Sequence, residues 1–127
     1  MDIIVIVGPS SCGKTTTLNL VYAKLLNGGA LSTNKKTEGN PRQNDFSDIL
    51  NWRDKRIAFF TMGDFSGHLI DAIKYYSEEN CDLLVCACND RFVKPFWEFE
   101  KHNTITKNKQ RNTDDNALAQ DIFDLIM

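Results

Sequence analysis

Residues 8 to 15 read Gly8-Pro9-Ser10-Ser11-Cys12-Gly13-Lys14-Thr15, which matches the pattern G-x-x-x-x-G-K-S/T in full. The flanks make this stretch the strongest constraint on the fold. Ile3, Ile4, Val5, Ile6 and Val7 precede it as a continuous β-branched run, the signature of a parallel strand buried on both faces. Leu18, Val21, Tyr22, Leu25 and Leu26 follow it at i, i+3, i+4, i+7 and i+8, one apolar helical stripe, which Gly28-Gly29 stops. Strand, glycine loop and helix in direct succession bring two effects to one point. The glycines let successive backbone N–H groups turn inward, and the helix adds the positive end of its dipole.

The rest of the chain repeats the alternation. Phe46 to Trp52 and Arg56 to Met62 read as two strands, with Arg53-Asp54-Lys55 as a hairpin turn. Leu69, Ile70, Ile73 and Tyr76 mark a second helix, and Leu83 to Ala87 another buried strand. Phe92 to Phe99 could form a short helix with Pro95 in its first turn. Ile105 suits a short edge strand, and Leu118, Ile122, Leu125 and Ile126 a closing helix. The expected fold is α/β: a three-layer sandwich with a mainly parallel sheet of about five strands, including one antiparallel hairpin strand. The whole chain, 1–127, reads as one domain. In such a sheet, ligands bind where the parallel strands end. The loops after Val7, Met62 and Ala87 then share one edge, and the polar segment 30–45 must climb back to it. Its end, near Arg42 and Asp45, should lie close to whatever the glycine loop holds.

That ligand is expected to be a phosphate chain. Backbone N–H groups over Gly8, Ser10, Ser11, Cys12 and Gly13 would cradle it, with Thr16 in the first helical turn. Lys14 would reach the β and γ phosphates as a point charge. The Thr15 hydroxyl would ligate magnesium. On these residues the chain resembles the P-loop nucleoside triphosphate hydrolase superfamily. The close match covers Val5 to Thr16, with a weaker echo over Gly63 to Gly67. The resemblance implies ATP or another nucleoside triphosphate with magnesium, but spans kinases, GTPases and ATPases and so does not choose a reaction.

Such a site needs an acid at the end of a neighbouring strand, to hold magnesium or position the attacking water. Asp64 follows the apolar run Ile57 to Phe60 and is the expected metal-side and catalytic acid, alongside Lys14; a helix N-cap is its other reading. Asp64-Phe65-Ser66-Gly67 also resembles the D-x-x-G of small GTPases, which would make Gly67 a γ-phosphate sensor. The guanine motif N-K-x-D has no counterpart, since Cys88-Asn89-Asp90-Arg91 follows the next strand; ATP is therefore the default. Arg91 could approach the phosphates, or Asp90 could cap a helix in a surface loop. Lys35, Lys36 and Arg42 could swing over the site or stay solvated. His68 could orient water or simply begin a helix.

Composition excludes other classes. Lys plus Arg number 15 against 17 Asp plus Glu, for a net charge of -2, which gives no global pull toward nucleic acid. The basic stretch Lys101, Lys107, Lys109 and Arg111 has few aromatics to stack bases and reads as solvated. No apolar run nears the roughly 18 residues of a membrane span, and no signal-peptide core is visible. A cytoplasmic location follows, with Cys12, Cys81, Cys86 and Cys88 as reduced thiols. Three functions stay open: an NTPase or nucleotide-gated switch, a small-molecule or nucleotide kinase, and a non-catalytic nucleotide-binding module completed by a partner. The second substrate or partner is not encoded legibly.

Overall fold

The β-branched run after Met1 forms the strand it implies: β1 (Asp2–Gly8) is buried from Ile3 onward. The computed structural model describes residues 1–8, 13–37, 45–62, 66–89, 102–106 and 115–126, with backbone only for 66–68, 102–106 and 115. After β1 come α1 (Lys14–Asn27), β2 (Leu31–Ser32), β3 (Ser47–Trp52), β4 (Lys55–Phe60), α2 (Ser66–Glu78), β5 (Leu83–Asn89), β6 (His102–Thr106) and α3 (Asp115–Ile126). The architecture is α/β with one mixed sheet, in the order β2-β3-β4-β5-β1-β6. Strands β4, β5, β1 and β6 pair parallel in turn, while β2–β3 and β3–β4 pair antiparallel.

Three details differ from the sequence reading. The described strands number six, because the first part of segment 30–45 lies along β3: Leu31–Ser32 forms β2, and Lys36 bridges to Ser47. The hairpin turn is shorter than Arg53-Asp54-Lys55, since Lys55 already pairs with Trp52. Arg53 and Asp54 alone make the turn, with φ of 48° and 65°, the mirror-image geometry that matches the twist of a two-residue hairpin. Most consequential is strand order. The strand beside β1 is β5, not β4, so the segment carrying Asp64 does not follow a strand adjacent to the glycine loop. The α2 crossover joins β4 to its parallel neighbour β5, and β5 in turn pairs with β1, so β5 separates β4 from β1. The possible helix at Phe92 to Phe99 lies outside the described residues.

Alternation along β1 divides the core. Ile4 and Ile6 join Leu18, Val21 and Leu25 of α1 and Ala119, Ile122 and Ile126 of α3. Ile3, Val5 and Val7 join Leu69, Ala72, Ile73 and Tyr76 of α2. Each fully buried large aliphatic or aromatic side chain contributes roughly 1.5–3 kcal/mol, so both clusters are needed to hold the sheet. Cys86 and Cys88 belong to the α2 cluster, and burial pushes the Cys86 thiol well above its ordinary range. The helix end behaves as expected: Gly29 takes φ of 103°, a left-handed conformation glycine adopts at little cost. Among the described residues no helix is long and apolar enough to cross a membrane.

Tyr76 ties α2 to this core and gives it a pH limit. Burial pushes its phenol up from the ordinary 10.0 to about 12, partly opposed by a hydrogen bond with Ser47. The unfolded chain therefore loses this proton before the folded chain does. The stabilisation is complete below pH 10 and is lost as pH rises toward 12. Thermal melts of Tyr76→Phe should fall less steeply than wild type across that window; parallel curves would show that another group governs alkaline unfolding.

Candidate functional site

The parallel strands end at one edge of the sheet, where Gly8 of β1 lies beside Asn89 of β5. Ser47 of β3 pairs with Phe60 of β4 at the same edge, so the chain entering β3 and the chain leaving β4 both arrive there. The glycine loop begins at Gly8 and ends at Gly13, which has φ of 94° and stands at the N-cap of α1. A side chain at Gly13 would be strained there. No side chain caps α1 by hydrogen bond among the described residues.

Lys14 is buried, and its Nζ donates to the Gly8 carbonyl at 2.9 Å. The side chain thus ties the start of α1 to the end of β1. Thr15 points elsewhere: its hydroxyl donates to Asp45 Oδ1 at 2.9 Å. Thr61 donates to the same oxygen at 3.1 Å. The Thr61 hydroxyl in turn accepts from the Phe46 N–H at 2.9 Å, and the Thr61 N–H donates to the Phe46 carbonyl at 3.1 Å. Thr61 therefore pins the entry to β3 while it holds the Asp45 carboxylate. The Thr15 hydroxyl and the Asp45 carboxylate are hard oxygen donors, the type magnesium takes, so the residues present fit that cation.

The structure thus brings Gly8, Gly13, Lys14 and Thr15 together at this edge and leaves Thr16 exposed on α1. Gly67 lies in the first turn of α2. Ser10, Ser11, Cys12, Asp64 and Arg91 lie outside the described residues, as does Arg42. The Lys35 Nζ sits 4.9 Å from the centre of the Tyr22 ring and 5.4 Å from that of Phe46, the residue next to Asp45. Lys36 is committed through its backbone to Ser47, with N–H and carbonyl both bonded at 2.8 and 2.9 Å.

Sequence reasoning placed Asp45 near the phosphates but gave it no chemistry, and overlooked Thr61. The available signal was Asp45-Phe46-Ser47-Asp48, two carboxylates three residues apart at the mouth of a buried strand. One of the two, Asp48, is buried in the protein. Comparison with family models, with curated proteins and with solved structures finds no match for this chain.

Proposed function

We propose that this chain is a P-loop protein that binds ATP, or another nucleoside triphosphate, with magnesium, and hydrolyses the γ-phosphate, acting as a nucleotide-gated switch. The observation that carries the reading is the buried Lys14, whose ammonium is bonded to the Gly8 carbonyl at the end of β1, beside a Thr15 hydroxyl already facing a carboxylate. In this reading Lys14 binds the β and γ phosphates, which would replace the Gly8 carbonyl as its acceptors. The backbone from Gly8 to Gly13, with Ser10, Ser11 and Cys12, wraps the phosphates, and Thr15 meets the metal. Magnesium supplies charge neutralisation at the β and γ oxygens. Asp64 is the carboxylate beyond the γ-phosphate, with Gly67 and Arg91 as further contacts.

The reading takes the fold as three-layered and mainly parallel, which is supported by the split of the core between α1 with α3 and α2. It also takes the location as cytoplasmic, consistent with three core-facing thiols. Hydrolysis is placed ahead of transfer because, among the described residues, those outside the site are largely taken up by sheet and helices.

The experiment is to incubate the protein with γ-labelled ATP and magnesium, without any acceptor. Phosphate release well above the spontaneous rate is the expected result. Transfer to a metabolite from a panel, with little release, would make the protein a kinase. Tight binding with neither outcome would make it a binding module.

A further inference from the structure

The geometry points to Asp45 as the carboxylate on the metal side of this site, with Thr61 as its positioning residue. This rests on the nucleotide-binding reading above and changes which acid serves it.

The argument starts from the Thr15 hydroxyl. A hydroxyl has one proton to donate and two lone pairs to offer. Thr15 spends its proton on Asp45 Oδ1 at 2.9 Å, so its oxygen lone pairs face away from that carboxylate. A cation that meets those lone pairs sits within one ligand shell of the Asp45 charge. Carboxylates so placed fix the orientation of a metal ligand and raise its donor strength. The same contact costs the protein little when the metal leaves, because the hydrogen bond remains.

Asp45 is also held. The single Thr61 hydroxyl proton has two acceptors in reach, Asp45 Oδ1 at 3.1 Å and the Phe46 carbonyl at 3.2 Å. Since the Thr61 N–H already serves that carbonyl, the carboxylate is the stronger acceptor for it; Thr61 is itself buried. A surface aspartate that merely tethered a loop would not need a second, buried hydroxyl on the oxygen already engaged with Thr15. Strand distance does not favour Asp45, since β3, which it precedes, is three strands from β1 and β4 is two. What sets Asp45 apart is direct contact: its carboxylate meets the Thr15 hydroxyl in the first turn of α1 at 2.9 Å.

The test measures ATP affinity with magnesium and in EDTA for wild type, Asp45→Asn, Thr61→Val, Thr61→Ser and Asp64→Asn. Wild type should bind more tightly with magnesium. Asp45→Asn keeps the shape but removes the charge; it should lose at least tenfold of the magnesium enhancement while its affinity in EDTA stays within about twofold. Thr61→Val should lose part of the enhancement, and Thr61→Ser, which restores the hydroxyl, should recover it. Full enhancement in Asp45→Asn overturns the assignment alone, and a loss confined to Asp64→Asn gives the role to that residue. Wild type that binds no ATP overturns the nucleotide reading and the assignment with it; wild type that binds ATP equally in EDTA leaves nucleotide binding standing and overturns the magnesium site and the assignment. If Asp45→Asn does not fold, Thr61→Val decides: unchanged enhancement there overturns the proposal.

Discussion

Lys14→Ala should weaken ATP binding in the presence of magnesium by roughly 100-fold, which corresponds to about 3 kcal/mol. The magnitude follows from burial. The Lys14 ammonium is only 6% exposed, so its attraction to phosphate oxygen is poorly screened by water, and hydrogen bonds to charged groups are worth about 1.5–3 kcal/mol each. In the nucleotide-free protein the same ammonium has a neutral acceptor, the Gly8 carbonyl at 2.9 Å. Exchange of a carbonyl for anionic oxygen is where the affinity arises. Removal of the side chain should therefore leave the free protein close to wild type in melting temperature while abolishing the shift that ATP induces. Wild type with ligand at about 100 times its Kd should gain about 2.7 kcal/mol; the variant at the same concentration should gain a few tenths. Differential scanning fluorimetry with and without Mg-ATP reads both quantities. Wild-type affinity in Lys14→Ala would remove the glycine loop from the site.

What the sequence made legible divides by physical cause. The β1 run, the α1 stripe and the Gly28-Gly29 stop are local signals, set by burial and backbone freedom, and each stands where its residues imply. The position of β5 between β4 and β1 is not local. Both Ile57 to Phe60 and Leu83 to Ala87 are apolar runs, and nothing in either states which one neighbours Ile3 to Val7. The expectation placed Asp64 next to the loop by assuming that order. Asp45 was hard to read for a related reason. Its partner Thr15 is 30 residues away in sequence, and a hydroxyl–carboxylate pair leaves no periodic trace. The segment 30–45 looked like free loop because it is polar and turn-rich after Ala30 and Leu31. Its polarity in part serves the fold, through donors that meet a single buried carboxylate.

That carboxylate is Asp48, and Asp48→Ala should destabilise the protein by about 3–4 kcal/mol. Asp48 is 1% exposed and sits in β3. Oδ2 accepts from the Tyr22 hydroxyl at 2.7 Å and from Ser32 Oγ at 2.5 Å. Oδ1 accepts from the Asn34 N–H at 2.9 Å and from its neighbour Ile49 N–H at 2.7 Å. Four donors compensate a buried charge that would otherwise be expensive. Three of them come from outside β3: one from α1 and two from the stretch that carries β2. Alanine would leave the buried Tyr22 hydroxyl without this acceptor, in the middle of the Tyr22, Phe46 and Phe59 aromatic cluster. Ser32 and Asn34 are exposed and can turn to water, so the loss there is of position, not of solvation. The consequence is local as well as global. Without Asp48 the stretch from Leu31 to Lys36 loses the bonds of Ser32 and Asn34 and keeps its backbone pairing with β3, the Thr33 hydroxyl on the Ile49 carbonyl at 2.7 Å and the Lys35 ammonium over the Tyr22 and Phe46 rings, so it should become the first site of limited proteolysis. Asp48→Asn retains an acceptor and the volume, and should lose only about 1–2 kcal/mol. Urea denaturation gives the stability and mass spectrometry of early fragments gives the cleavage site. If Asp48→Ala lowers stability but cleavage begins elsewhere, Asp48 supports the core through Tyr22 alone. If both effects appear, the carboxylate fastens the segment leading toward Asp45, and the geometry at Thr15 depends on it.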